Sequence, residues 1–305
     1  MLISHASKMP PYAIDIHTSK ILGTVSEVYL RECVKKIAIP RHFHAQPQNN
    51  QWVAQWITQQ LQSYGYQTQF QGKYANILTL PLNNSGIPCT LVGAHYDSVP
   101  QTPGADDNGS ACAALLTCAK TIAKYAPQTP VFFAVFNREE DGLMGSQDFV
   151  ANYLIEKKVN IVNAHILEMV GYCQHTPDSQ KVPKGLPLTL PNTGDFLGII
   201  GNNNSCGLVE TTLKKAKTYL PAFPVIGLKV FFGLEHVFPV LKRSDHAPFW
   251  QAKIPALMWT DTAEFRNPNY HWVTDKPETL DYRFLRQVTQ LLIASVIGNL
   301  KLGTK

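Results

Sequence analysis

Histidine and carboxylate residues of this chain are grouped in a few short segments, most of which follow an apolar run. The groups, in chain order, are His95 with Asp97, Asp106 with Asp107, Glu139 with Glu140, then Glu168 and finally His271. Imidazole and carboxylate are the ligands that zinc and similar divalent ions take in proteins. A lone histidine is more often structural, so the prediction of a metal site requires these groups to meet at one place.

The apolar runs are predicted to be strands of one sheet. Residues 76–80, 90–94, 131–136, 161–170, 225–232 and 255–260 read as strands, and the run VFFAVF at 131–136 suits a strand buried on both faces. Helical spacing or composition marks residues 46–64, 110–125, 146–156, 205–219 and 282–300. Such alternation predicts a single α/β domain with a mostly parallel central sheet and helices on both faces. Ligand sites of such sheets lie at the carboxyl ends of the strands, where the histidine and carboxylate groups fall.

The composition indicates which classes of partner and which cellular location to expect. The 305 residues carry a net charge of +5 without a Lys/Arg-rich tract, so a nucleic-acid partner is not expected. No apolar run approaches the ~20 residues that a membrane helix needs, so no membrane partner is expected either. Without a recognisable signal segment, the chain is predicted to be cytoplasmic as it stands, with a periplasmic or secreted location left open. Residues 1–20 are expected to form an irregular N-terminal arm, followed by a catalytic domain at 21–305.

The cysteines give no support for a cysteine-based zinc site. All six are scattered and no CxxC occurs, so free thiols are expected. Cys173 and His175 lie close after Glu168 and raise the question of another metal site, but a place in the pocket lining or on the surface is favoured. Asn-x-Ser sequons at Asn83, Asn108 and Asn203 give no support for secretion, because Asn108 adjoins a candidate ligand.

Six short motifs occur in order along the chain. They are H-x-D at 95–97, G-x-x-D-N-x-S at 104–110, E-E-x-G-L-x-G-S at 139–146, E-M-x-G at 168–171, S-D-H-x-P-F at 244–249, and His271 ahead of Asp275 and Leu280. Together they resemble the zinc aminopeptidase family that also includes glutamate carboxypeptidase and glutaminyl cyclase. The resemblance covers roughly residues 30–300.

The resemblance implies two zinc ions that share one carboxylate. Asp107 would bridge the ions, His95 and Glu168 would complete the first site, and Glu140 and His271 the second. Most family members carry Asp where this chain has Glu168, so the longer side chain puts the affinity of the first site in question.

The resemblance also assigns roles beyond the ligands. Glu139 would be the general base, and Asp97 would orient the imidazole of His95. The peptide bond between Asp107 and Asn108 is expected to be cis. Arg243, Asp245 and His246 are candidates for substrate contacts, although Arg243 equally suits the surface and Asp245 better suits a helix cap near Ala247.

The implied function is a metal-dependent exopeptidase, an aminopeptidase acting on peptides. The alternatives are a glutaminyl-cyclase-like acyltransferase with one zinc ion, a carboxypeptidase on the same fold, and a binding protein without catalysis. The E-E-x-G-L-x-G-S motif favours the hydrolases. The proline-bearing segment 176–196 is predicted to form a pocket wall.

Overall fold

The computed structural model describes residues 1–80, 87–157 and 159–297. One sheet contains the strands, which are β1 Leu2–His5, β2 Thr68–Gln71, β3 Asn76–Thr79, β4 Cys89–His95, β5 Val131–Phe136, β6 Ile161–Leu167, β7 Leu197–Gly201, β8 Val225–Lys229 and β9 Ala256–Thr260. Their spatial order is β1-β8-β7-β9-β6-β4-β5-β3-β2.

The centre of the sheet is parallel. Strands β5, β4, β6 and β9 are parallel neighbours, so their carboxyl ends lie at one edge. Strand β8 runs parallel to β7, whereas β7 is antiparallel to β9, and β1, β2 and β3 each pair antiparallel. The predicted α/β fold with a parallel centre is confirmed, and the outer strands make the sheet mixed.

The α-helices cover both faces of this sheet. They are α1 Ile16–Leu22, α2 Glu27–Ile37, α3 Pro47–Ser63, α4 Ala111–Tyr125, α5 Met144–Asp148, α6 Cys206–Tyr219, α7 Leu234–Val237, α8 His246–Gln251 and α9 Tyr282–Ile297. One large core cluster joins α2, α3, α4, α6 and α9 to the sheet, and a second joins α8 and the turn after α5 to the other face. Within the described ranges, no helix has the length and apolarity required to cross a bilayer.

Strand β5 shows how one apolar run serves both cores. Phe133 and Val135 belong to the larger cluster, and Phe132 and Phe136 belong to the cluster on the other face. Successive side chains of a strand point to opposite faces, so a strand between two helical layers is apolar at every position. The prediction of a strand buried on both faces is confirmed.

The structure corrects several element boundaries. The segment expected to be an irregular arm contains edge strand β1. Its partner β8 lies far along the chain, so the sequence around β1 gives no local signal for this pairing. Strands β2 and β7 were not predicted. The helix expected at 146–156 is the short α5 followed by a π-type turn at Phe149–Leu154. The end of the predicted helix 282–300 and the sequon at Asn83 fall outside the described residues.

A buried lysine joins two helices on the larger-cluster face. Lys215 of α6 is 5% exposed, and its ammonium donates hydrogen bonds to the carbonyl oxygens of Ala294 and Ser295 near the end of α9. Burial lowers the pKa of Lys215 to about 8. The two carbonyl groups at the helix end act in the opposite sense, because they stabilise the cation.

Candidate metal centre

The predicted ligands follow the carboxyl ends of the central strands. Strand β4 ends at His95, β5 ends shortly before Glu139 and Glu140, and β6 ends next to Glu168. Asp107 lies in the π-type turn Ala105–Ser110 that leads into α4. The loop after β9 brings in His271, so all of these side chains reach the same sheet edge.

Asp107 occupies the middle of this cluster. Its Oδ1 lies 3.4 Å from Nε2 of His95, and its Oδ2 lies 3.1 Å from Nε2 of His271. Glu168 Oε2 is 3.3 Å from His95 Nε2, and Glu140 Oε2 is 3.3 Å from His271 Nε2. The structure therefore forms two three-residue groups that have Asp107 in common, and together they contain all five residues predicted as ligands.

The spacing and the missing hydrogen bonds fit metal ligation. Ligand atoms placed tetrahedrally at ~2.0–2.2 Å from a zinc ion lie roughly 3.3–3.6 Å apart, whereas hydrogen-bonded nitrogen and oxygen lie ~2.7–3.2 Å apart. Of the four distances, three are 3.3–3.4 Å. Within the described part of the chain, Nε2 of His95, Oδ1 of Asp107 and Oε1 of Glu140 are buried without a hydrogen-bond partner. Buried polar atoms are rarely left in this state, and a cation between them would satisfy them.

The pKa values of the clustered side chains also indicate a site for cations. Burial raises the pKa of Glu139 well above its usual value; His95 opposes this shift, and the carboxylates of Glu168 and Glu140 add to it. Burial likewise raises the pKa of Glu140 to about 8. Burial opposes the charged form of His271, but Asp107 and Glu140 outweigh it and raise the pKa of His271 to about 10. Without a cation the cluster retains protons, which metal binding would displace.

Asp97 contacts both the first histidine and the glutamate pair. Its Oδ1 lies 3.4 Å from Nδ1 of His95, which agrees with the orienting role inferred from the resemblance. Its two carboxylate oxygens also accept the backbone N–H groups of Glu139 and Glu140, each at 3.2 Å. Asp97 thus connects the end of β4 to the turn after β5, a contact that the sequence did not reveal.

Two further side chains fix the turn that carries Asp107. The carboxylate of Asp275 accepts the backbone N–H groups of Asp106 and Asp107, at 2.9 and 3.1 Å. Asn108 donates to the carbonyl of Leu167 and accepts the N–H of Met169, both at 3.0 Å, on either side of Glu168. The peptide bond between Asp107 and Asn108 is cis, as predicted.

Ser244 holds the carboxylate that departs from the family pattern. Its hydroxyl donates a 2.7 Å hydrogen bond to Oε2 of Glu168, and Ser244 is fully buried. Sequence reasoning missed both Ser244 and Asp275 as supporting residues. A signal was available, because Ser244 opens the S-D-H-x-P-F motif and Asp275 follows His271 at the family spacing.

The three candidates for substrate contacts lie in different surroundings. Arg243 lines the cavity beside the centre, forms an ion pair with Glu264 and donates to the hydroxyl of Tyr270 at 2.9 Å. His246 is fully buried and contacts the carbonyl of Leu241 at 2.8 Å, so it packs in the interior and does not line this cavity.

Asp245 precedes helix α8, but its side chain forms no capping hydrogen bond, so the cap prediction is wrong. Both of its carboxylate oxygens are buried without a hydrogen-bond partner among the described residues. Burial raises the pKa of Asp245 to about 7, against the opposing effects of His95 and of a contact with Ser146.

A cavity of about 380 Å³ opens beside the cluster. Asp107, Glu139, Glu140 and Glu168 form its acidic end. Its other walls are mainly apolar and include Leu186, Leu188, Phe196, Ile226, Leu241 and Met258. The segment 176–196 contributes several of these residues, which confirms the prediction of a pocket wall.

Sequence comparison identifies relatives across most of the chain. The model of peptidase family M28 matches residues 77–296. The uncharacterized protein YfbL of Escherichia coli is 33% identical over 236 residues, covering 73% of this chain and 70% of that protein. Leucine aminopeptidase 1 of Arthroderma otae is 27% identical over 305 residues, covering 90% of this chain and 74% of that protein.

Solved structures show the same fold. LapA aminopeptidase of Legionella pneumophila superposes with a TM-score of 0.74 at 19% identity, covering 95% of this chain and 76% of that one. The zinc aminopeptidase BSAP of Bacillus subtilis gives 0.55 at 26% identity, covering 72% of this chain and 49% of that one. A glutaminyl cyclase of Bacteroides thetaiotaomicron gives 0.63 at 16% identity over 90% and 98% of the two chains, which shows the fold alone. On the family match and the relationship to YfbL, this chain belongs to peptidase family M28.

Proposed function

We propose that this zinc metallopeptidase is an aminopeptidase whose acidic centre holds two zinc ions. His95, Asp107 and Glu168 would bind one ion, and Asp107, Glu140 and His271 the other. The observation that carries this proposal is the position of Asp107, whose two oxygens each face a different histidine. A carboxylate placed in this way suits two cations held ~3.5–4 Å apart.

The excess of buried carboxyl groups supports bound cations at this centre. Eight carboxyl groups at or around the centre are buried, namely Asp97, Asp106, Asp107, Glu139, Glu168, Asp245, Asp261 and Asp275. Among the described residues, only Arg41 and Arg266 are buried guanidinium groups. Unpaired buried carboxylates are costly, so the excess of negative charge is best balanced by divalent cations together with a few retained protons.

Glu139 is placed to move the proton during hydrolysis. Zinc, when bound, polarises the scissile carbonyl and makes water acidic enough to react at neutral pH. Glu139 lines the cavity, and its Oε2 lies 4.0 Å from His95 Nε2, so its carboxylate borders the same space. In the proposed reaction Glu139 accepts the proton of the attacking water and delivers it to the leaving amine.

The cavity supports an N-terminal substrate with a large apolar side chain. Its acidic end would attract the positively charged α-amine of a peptide. The apolar walls would receive the side chain of the N-terminal residue. At roughly 25 cal/mol per Å² of apolar area, burial of a leucine or phenylalanine side chain contributes about 1.5–3 kcal/mol.

A panel of chromogenic substrates tests this function on the zinc-loaded chain. We expect the anilides of leucine and phenylalanine to be cleaved faster than that of alanine, and N-acetyl-leucine anilide to resist cleavage. Cleavage of the acetylated substrate at a similar rate would contradict the proposal. Release of C-terminal residues from N-blocked peptides would show a carboxypeptidase, and cyclisation of N-terminal glutamine without hydrolysis would show a glutaminyl cyclase.

A further inference from the structure

A second cluster of metal-ligating side chains lies outside the acidic centre. Cys173, His175 and Asp281 each offer one ligand atom, and these three atoms lie within 4.8 Å of one another. None of the three belongs to the groups around Asp107. Cys173 and His175 lie just before the segment that forms the pocket wall, and Asp281 immediately precedes α9.

The separation between Cys173 and His175 suits a metal ion. The sulfur of Cys173 lies 3.6 Å from Nε2 of His175. Zinc bonds of ~2.3 Å to sulfur and ~2.0–2.1 Å to nitrogen at the tetrahedral angle place the two ligand atoms roughly 3.6 Å apart. A weak hydrogen bond between thiol and imidazole has a similar length, so the distance alone does not decide between the two.

The surroundings of His175 favour the metal. While Nε2 faces Cys173, Nδ1 lies 4.0 Å from Oδ2 of Asp195. At 4.0 Å this carboxylate does not accept a hydrogen bond from the ring, but its negative charge stabilises an imidazole that binds a cation. His175 is largely exposed and Cys173 is half-buried, so an ion has access from solvent.

Asp281 is held in place by the helix that follows it. Its Oδ1 accepts the backbone N–H groups of Arg283 and Phe284, each at 2.9 Å, and its own N–H donates to the carbonyl of Gly171. The carboxylate is therefore ordered before any ion binds. Gly171 lies just before Cys173, so both sides of the cluster are anchored to the same short segment.

We infer that Cys173, His175 and Asp281 form a separate binding site for a borderline divalent ion such as zinc, with water at the remaining position. One sulfur, one nitrogen and one oxygen ligand form a set that zinc and cobalt(II) accept and that calcium and magnesium do not. An ion here joins the chain just before the pocket-wall segment to the start of α9.

Cobalt(II) tests this site independently of the catalytic centre. The acidic centre offers only nitrogen and oxygen ligands, so a near-ultraviolet thiolate-to-cobalt band reports a cysteine ligand. The chain is stripped of metal with a chelator, and the metal-free protein is titrated with cobalt(II) chloride in the presence of a phosphine reductant. We expect the parent chain to show the band and to bind one more cobalt ion than Cys173→Ser does. We expect Cys173→Ser to lack the band.

Control variants distinguish cobalt binding at this site from binding at another thiol and from loss of the fold. Cys206 is the other half-buried thiol among the described residues, and Cys206→Ser should keep the band. His175→Ala should weaken cobalt binding about tenfold or more, and Asp281→Asn, which retains a capping oxygen, should also weaken it. Absence of the band in the parent chain, its survival in Cys173→Ser, or indifference to His175→Ala would overturn the inference. Peptidase activity of the zinc-loaded variants serves as the check of folding.

Discussion

Replacing Ser244 with alanine should weaken one zinc site and spare the other. The Ser244 hydroxyl donates to the Glu168 carboxylate at 2.7 Å in a fully buried position, and it does not contact Glu140 or His271 through any hydrogen bond found among the described residues. A hydrogen bond to a charged group contributes about 1.5–3 kcal/mol. At 1.4 kcal/mol per tenfold, this corresponds to roughly 10- to 150-fold in affinity. We expect the lower part of this range, because the bond already exists before zinc binds.

The assay is a chelator titration in which bound zinc and peptidase rate are followed together. In Ser244→Ala, one zinc ion per chain should leave at a chelator concentration about tenfold lower than in the parent chain, and the second should leave as before. Ser205→Ala is the control, because Ser205 is equally buried and hydrogen-bonded, at 2.9 Å to Asn202, but lies away from the centre. If both ions weaken equally, or neither weakens by more than twofold, Ser244 does not support Glu168 as argued.

Three further predictions follow from the same structure. Glu139→Gln should retain zinc and lose about 10²- to 10⁴-fold in turnover, since an amide cannot accept the proton; loss of zinc would instead make Glu139 a ligand. Met258→Trp, in the cavity wall, should raise KM for leucine and phenylalanine anilides far more than for the alanine anilide, and equal changes would remove this cavity from substrate recognition. Lys215 has a pKa lowered to about 8 by burial, below its usual 10.5, so the folded chain binds this proton more weakly than the unfolded chain. The free energy of unfolding of the parent chain, measured with urea, should therefore rise relative to that of Lys215→Met between about pH 8 and 10.5, by at most about 3 kcal/mol. Parallel pH profiles of the two proteins would contradict this.

The ligand-bearing segments could be predicted because their signals are local. The apolar run before Glu139 and the turn residues around Asp107 are each readable within a few positions, and the motifs fix their order. Parallel strands then bring their carboxyl ends together, so the meeting of His95, Glu140 and Glu168 follows from topology. The family resemblance supplied His271, whose loop has no local pattern of its own.

The contacts that support the ligands could not be predicted because they depend on tertiary placement. The bonds from Asp97 to the backbone of Glu139 and Glu140 cross from one strand end to another. The bond from Ser244 to Glu168 likewise joins segments far apart in the chain. Asp245 was misread as a cap because its position before α8 is that of a capping residue, while its side chain is buried without a capping bond.

The central claim, that two zinc ions share Asp107, is tested most directly by anomalous X-ray diffraction at the zinc edge from crystals of the zinc-loaded chain. We predict two peaks ~3.5–4 Å apart, each ~2.0–2.2 Å from a different oxygen of Asp107. One peak should contact His95 and Glu168, and the other Glu140 and His271. A single peak bound by Asp107, Glu140 and His271, with His95 and Glu168 free of metal at saturating zinc, would contradict the account.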